Sequence, residues 1–155
     1  MPTLIVLRHA KAVAGFGTPD IERTLNDRGR RDAAAAGEWL RAEGLVPGRV
    51  LCSPAARTRE TLGLLAVRAD TAFEGGIYDN DPGVLMSLVA ETADGVGTLL
   101  LVGHNPSVHQ FVHDLTGRAP EQFPTCALAV VDLPGPWADV RPGLGTLAAF
   151  RTPKD

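Results

Sequence analysis

The sequence predicts an α/β fold: a three-layer sandwich with a mostly parallel central sheet, helices on both faces and an antiparallel element near the C-terminus. Three observations predict it. Short apolar runs rich in branched residues alternate with longer helical stretches, as in parallel strands joined by crossover helices. The runs Thr3–Leu7 and Thr98–Gly103 are almost continuously apolar, as strands buried on both faces are. The last two runs, Cys126–Leu133 and Gly145–Arg151, are separated by proline and glycine turns with no helix between them, so they pair as a hairpin or near it.

Taken in order, Thr3–Leu7 is the first strand, and a polar, glycine-containing loop follows from Lys11 to Thr24. Asn26 or Asp27 caps a helix to about Glu43, with Gly44 as its stop and Ala33, Ala36, Gly37, Trp39 and Leu40 as a mostly small-residue face. Arg49–Cys52 is the second strand. Ser53-Pro54 then reads as an N-cap with proline in the first turn of a helix to about Ala66. Thr71–Phe73 is a weak third strand, and Asp81-Pro82 opens a helix through about Thr92. Thr98–Gly103 is the clearest strand. His104 ends it, Asn105-Pro106 repeats the cap-plus-proline pattern, and the helix that follows runs to about Leu115 and ends at Gly117.

Composition narrows the function. The 155 residues fit one domain, residues 1–155, with no repeat, low-complexity tract or linker. A formal charge of −3 gives no global basic character, so nucleic acid is not an expected partner. No apolar run reaches the roughly 20 residues that span a bilayer, so no membrane is expected either. Met1–Leu7 is too short for a signal peptide and lacks a basic leader. Cys52 and Cys126 lie far apart without CxxC spacing, which argues against a zinc or redox pair. The expected location is the cytoplasm, and the expected state a monomer.

In an open α/β sheet, ligands bind beyond the carboxyl ends of the strands. Three strands deliver polar residues there: the first ends in Arg8-His9, the second leads to Ser53-Pro54 with Arg57 in the next turn, and the Thr98–Gly103 strand leads to His104-Asn105. Two arginines, two histidines and two helix N-termini at one edge suit an anion, and guanidinium offers phosphate a rigid bidentate fork. Neighbouring positive charge disfavours imidazolium, so His9 is expected to stay neutral and nucleophilic, able to attack phosphorus and carry the phosphoryl group. Arg8, Arg57 and His104 would then stabilise the equatorial oxygens, with no metal required.

Leu7-Arg8-His9-Ala10-Lys11 resembles the signature of the histidine phosphatase superfamily, the phosphoglycerate mutase-like or RHG family. Alanine replaces the usual glycine after the histidine, as in the SixA-like branch. Ser53-Pro54-Ala55-Ala56-Arg57 with Thr61 resembles the second motif, Val102-Gly103-His104-Asn105-Pro106 the third, and Asp20–Leu25 with Gly29 the segment after the first loop. The resemblance spans about residues 3–115 and implies a single histidine phosphatase domain that works without a cofactor. It implies that His9 is the phosphorylated nucleophile and that Arg8, Arg57 and His104 form the phosphate pocket. Arg23 would stand at the rim, and Asn105 either adds a donor or caps its helix.

One family element has no match. Many members carry a glutamate after the third strand that protonates the leaving group; Gly76 falls roughly at that point, with Glu74 and Asp79 nearby and Asp79 the candidate proton donor. A sugar alkoxide needs such an acid more than an imidazole does. The expectation is therefore a phosphatase acting on phosphohistidine in a phosphorylated protein of phosphorelay type. The alternatives are a small-molecule phosphomonoesterase or mutase on the same scaffold and a non-catalytic phosphoprotein-binding module. His109 and His113, four apart on one helix, have zinc-like spacing but no third ligand. Arg59 and Lys11 read as solvated charges, and the Arg28–Asp32 cluster as a charged helix start.

Overall fold

The computed structural model describes residues 1–154. Among them, Thr3–Arg8 (β1), Arg49–Cys52 (β2), Asp70–Phe73 (β3), Thr98–Gly103 (β4), Leu128–Asp132 (β5) and Thr146–Arg151 (β6) form one sheet in the order β3-β2-β4-β1-β5-β6. The first four strands pair in parallel; β5 runs antiparallel to β1, and β6 antiparallel to β5. The predicted terminal hairpin is therefore present, with a bulge between Val130 and Val131.

Side chains of the central strands alternate between two cores. Leu4, Val6, Leu99 and Leu101 pack with Leu85, Val89, Phe111 and Leu115 from the helices Pro82–Ala90 (α4) and Ser107–Thr116 (α5). Ile5, Leu7, Leu100 and Val102 pack with Ala33, Ala36, Leu40 and Leu65 from the helices Asp27–Ala42 (α1) and Ala56–Leu65 (α2) on the other face. This is the expected three-layer arrangement. Gly37 lets α1 and α2 approach closely, since a methyl group there would collide with the Leu65 carbonyl. Among the described residues, no helix is long and apolar enough to cross a membrane.

Two of the expected caps are corrected. Ser53 does not begin α2: the N-cap position falls at Ala55, and the Ser53 hydroxyl accepts the Ala55 amide at 3.3 Å while facing another strand end. Asn105 does not cap α5 either. The first helical amide, at Ser107, is taken by the Asn80 side chain at 3.0 Å, and the Asn105 amide donates instead to the Phe123 carbonyl at 2.8 Å. Cys126, at φ +60°, delays β5 to Leu128. The unexpected short helix Gly75–Tyr78 (α3) lies between β3 and α4.

Candidate active site

The register of the sheet explains why three separate segments meet. Arg8 pairs with Gly103 and Cys52 with Val102, so His9, Ser53 and His104 emerge side by side where β1, β2 and β4 end. Backbone bonds carry the pairing one step further: the His9 amide donates to Gly103 at 3.1 Å and the Ser53 amide to Val102 at 3.1 Å. The His9 and His104 rings lie 5.3 Å apart. Both residues are buried, as is Arg57 on α2.

Hydrogen bonds assign the protons on both rings. Nδ1 of His9 lies 2.7 Å from the carbonyl of Ala10, which only accepts, so Nδ1 carries the proton and the neutral ring keeps its lone pair on Nε2. Ser53 Oγ lies 2.8 Å from Nε2 of His104 and already accepts the Ala55 amide. The serine proton has His104 as its acceptor, which places the proton of that ring on Nδ1. Burial holds His9 down to about pKa 4, partly opposed by the Ala10 carbonyl and reinforced by the charges of Arg57, Arg8 and Arg23. Burial, then His9 and Arg57, push His104 down to about 3. His9 is thus neutral, as expected, but desolvation rather than neighbouring charge is the leading cause.

The cations are held by backbone and by one acid. Arg8 Nη1 donates to the Phe123 carbonyl at 3.1 Å, the same oxygen that Asn105 grips. Arg57 donates from Nη1 to the Asp20 carbonyl at 2.8 Å and from Nη2 to Asp20 Oδ2 at 3.0 Å. Each terminal nitrogen of Arg57 thus gives one N–H to Asp20. Nε of Arg57, Nε of Arg8 and Nδ1 of His104 are buried without a hydrogen-bond partner. Buried donors in this state call for an acceptor, and three together near a neutral imidazole suit a tetrahedral oxyanion.

The remaining candidates separate. Arg23 reaches the rim, its Nε 3.4 Å from Asp20 Oδ1 and its stem packed against Gly15, whose φ of +71° bends the loop over it. Asp79 caps the C-terminus of α3 and is exposed, and its side chain enters no hydrogen bond or ion pair among the described residues. One residue earlier, Tyr78 stands edge-on to His104 at 5.6 Å and donates its hydroxyl to Asp20 Oδ2 at 2.7 Å. Sequence reasoning assigned no role to Asp20 or Tyr78; the i,i+3 spacing of Asp20 and Arg23 was the available signal. Arg59 lies over the Phe73 ring at 5.3 Å rather than being simply solvated. His109 Nε2 is engaged by the Pro120 carbonyl at 2.6 Å, and no cluster of three or more metal-ligating side chains occurs among the described residues.

Comparison with known proteins gives the family. The family model described as histidine phosphatase superfamily (branch 1) matches residues 4–75. An uncharacterized protein of Mycobacterium tuberculosis is 37% identical over 158 residues, covering 96% of this chain and all of the relative. The chain belongs to the histidine phosphatase superfamily. Within it the chain falls in the SixA-like branch and is a phosphatase. Phosphohistidine phosphatase SixA of Escherichia coli is 27% identical over 137 residues, with 84% of each chain covered. The structure of the protein histidine phosphatase SixA complexed with tungstate superposes with a TM-score of 0.85 at 26% identity, covering 98% of this chain and 97% of the other. A SixA structure from Nakamurella multipartitia gives a TM-score of 0.88 at 29% identity, covering 98% and 96%.

Proposed function

We propose that this phosphatase removes the phosphoryl group from phosphohistidine on a protein, through a phosphorylated His9. The observation that carries the reading is the state of Asp20. It is the carboxylate at the pocket mouth, and the Tyr78 hydroxyl and the Arg57 guanidinium hold it below the usual carboxylate range, ionised at neutral pH. An ionised carboxylate does not protonate a leaving group. Asp79, the candidate donor from sequence, is exposed and outside the hydrogen-bonded network of the site. A pocket of this kind suits a leaving group that takes its proton from water, as the imidazole of phosphohistidine does and a sugar alkoxide does not. The similarity to SixA of Escherichia coli supports the same substrate class.

The proposed steps follow from the protons already placed. The lone pair on Nε2 of His9 attacks phosphorus while Nδ1 stays hydrogen-bonded to Ala10. The P–N bond to the substrate ring breaks, and its electron pair returns to that ring. Arg8, Arg57 and His104 donate to the phosphoryl oxygens as charge shifts onto them. Water then attacks the phosphoenzyme, the P–Nε2 bond breaks, His9 regains its lone pair, and phosphate leaves with the surplus proton passing to solvent. The test is a paired assay in chelator, comparing a phosphohistidine-bearing carrier protein with sugar and aryl phosphates. Higher kcat/KM on the carrier is the expected result. Strong preference for a sugar phosphate would overturn the reading and redirect attention to Asp79 and Glu74.

A further inference from the structure

Asp20 and Tyr78 take no part in the steps above, yet they stand where the leaving group must pass. His9, His104 and Arg57 form the buried end of the pocket, whereas the Asp20 side chain is 55% exposed. In-line attack from His9 places the departing atom on the opposite, solvent-facing side of phosphorus. The groups that face Asp20 are Arg57 from α2, Arg23 from its own segment and Tyr78 from α3, with His104 behind the tyrosine ring. Oδ2 is occupied by Arg57 and Tyr78. Oδ1 accepts no hydrogen bond among the described residues, and Arg23 Nε lies 3.4 Å from it.

Phosphohistidine leaves readily once its distal ring nitrogen is protonated, and the ring is then a cation bearing an N–H. Arg8, Arg23 and Arg57 alone would repel it; the Asp20 carboxylate is the anion that reverses this at the mouth. Resting on the phosphohistidine reading, we infer that Asp20 is a specificity-determining residue that accepts the N–H of the protonated substrate ring and so favours substrates whose departing ring is cationic while still bonded to phosphorus over those that leave as anions. The proton comes from water onto the distal nitrogen. The P–N electron pair returns to the proximal nitrogen, and a neutral imidazole departs. Asp20 neither gains nor loses a proton. The Tyr78 hydroxyl and the Arg57 guanidinium keep it ionised, and the Tyr78 ring offers a flat surface beside it.

The experiment compares kcat/KM on N-phosphoimidazole and on 4-nitrophenyl phosphate, two small substrates whose leaving groups differ in charge. Asp20→Asn keeps an oxygen acceptor for Arg57 and Tyr78 while removing the charge. It is expected to shrink the preference for phosphoimidazole about fivefold, the size of one half-exposed ion pair. Tyr78→Phe keeps the carboxylate and is expected to change that preference by less than about twofold. Equal losses on both substrates in Asp20→Asn, or an equal collapse of the preference in Tyr78→Phe, would overturn the inference and leave Asp20 as a support for Arg57. A wild type inactive on phosphoimidazole and on a phosphohistidine carrier would overturn the functional reading itself, a result separate from the ratio.

Discussion

The Thr61 hydroxyl accepts the amide of Ala10 at 3.0 Å and donates to the carbonyl of Arg57 at 2.7 Å. One buried side chain of α2 thus ties the residue after His9 to the backbone of Arg57. Thr61→Val keeps the shape but leaves the Ala10 amide buried without a partner. It is expected to lower stability by about 1–3 kcal/mol and to reduce kcat more than it raises KM, because the nucleophile loses its alignment with the phosphate donors. Thr61→Ser restores the hydroxyl and should recover most of both. Denaturant unfolding and steady-state kinetics on the three proteins check this; a Thr61→Val protein with normal kcat would show that α2 does not position His9.

The depressed histidines set the pH behaviour. His9 and His104 are held down to about 4 and about 3 in the folded chain, against about 6.5 when unfolded. Below that unfolded value the unfolded chain binds more protons than the folded one, so stability falls as pH falls. The contribution of His9 is fully present above about pH 6.5 and is lost on descending to about 4; that of His104 continues to fall to about 3. His9→Asn and His104→Asn should each flatten the pH dependence of the unfolding free energy over that window. In activity, His9 remains an unprotonated nucleophile at pH 5, so kcat/KM on an acid-stable aryl phosphate should lack an acid limb with a midpoint near 6.5. A limb at that pH assignable to His9 would contradict its burial.

Much of the fold was legible because its determinants are local. The apolar runs Leu4–Leu7 and Leu99–Val102 are too dense for surface elements, and Gly44 and Gly117 stop their helices with positive φ. Arg8, His9, Arg57 and His104 were found because strand ends converge in any sheet of this class. Asp20 and Tyr78 were not. Their meeting joins residues 58 apart in sequence and depends on α3, a single turn with no capping side chain and little periodic signal. The caps at Ser53 and Asn105 were misread for a related reason. Both side chains found tertiary partners, His104 and the Phe123 carbonyl; Asn105 gives up its local turn for that contact, while Ser53 keeps a bond to the Ala55 amide two residues on and the helix starts later. The cause of His9's neutrality was likewise a tertiary matter, since burial is set by packing across the sheet rather than by neighbours in sequence.

Gly37 tests the packing that places α2. Its Cα faces the Leu65 carbonyl too closely for a methyl group. Helix propensity alone would make Gly37→Ala stabilising by up to about 1 kcal/mol. Overpacking opposes this, and forcing the helices apart is expected to win, with a net loss of about 1–3 kcal/mol. Gly63→Ala on α2, where an added Cβ meets nothing, serves as the control and should be neutral or stabilising. Chemical denaturation of both variants decides; a stabilised Gly37→Ala would mean that α1 and α2 are less tightly engaged than their backbones indicate.

His9→Ala addresses the phosphoenzyme directly. The imidazole stands at the end of β1, and its ring hydrogen bond goes to the adjacent Ala10 carbonyl rather than to a distant core group. Its removal should therefore leave the fold intact, with a shift in Tm of only a few degrees. Turnover should fall to background, since Arg8 and Arg57 offer no lone pair and the unprotonated Nε2 of His104 is held by the Ser53 hydroxyl. Wild type quenched during turnover should carry a phosphoryl group that is stable in base and labile in acid, as a P–N bond is, and His9→Ala should carry none. Because the donors remain, His9→Ala should still bind inorganic phosphate or tungstate, separating loss of chemistry from loss of the pocket. An acid-stable phosphoenzyme, or one persisting in His9→Ala, would move the nucleophile to another residue.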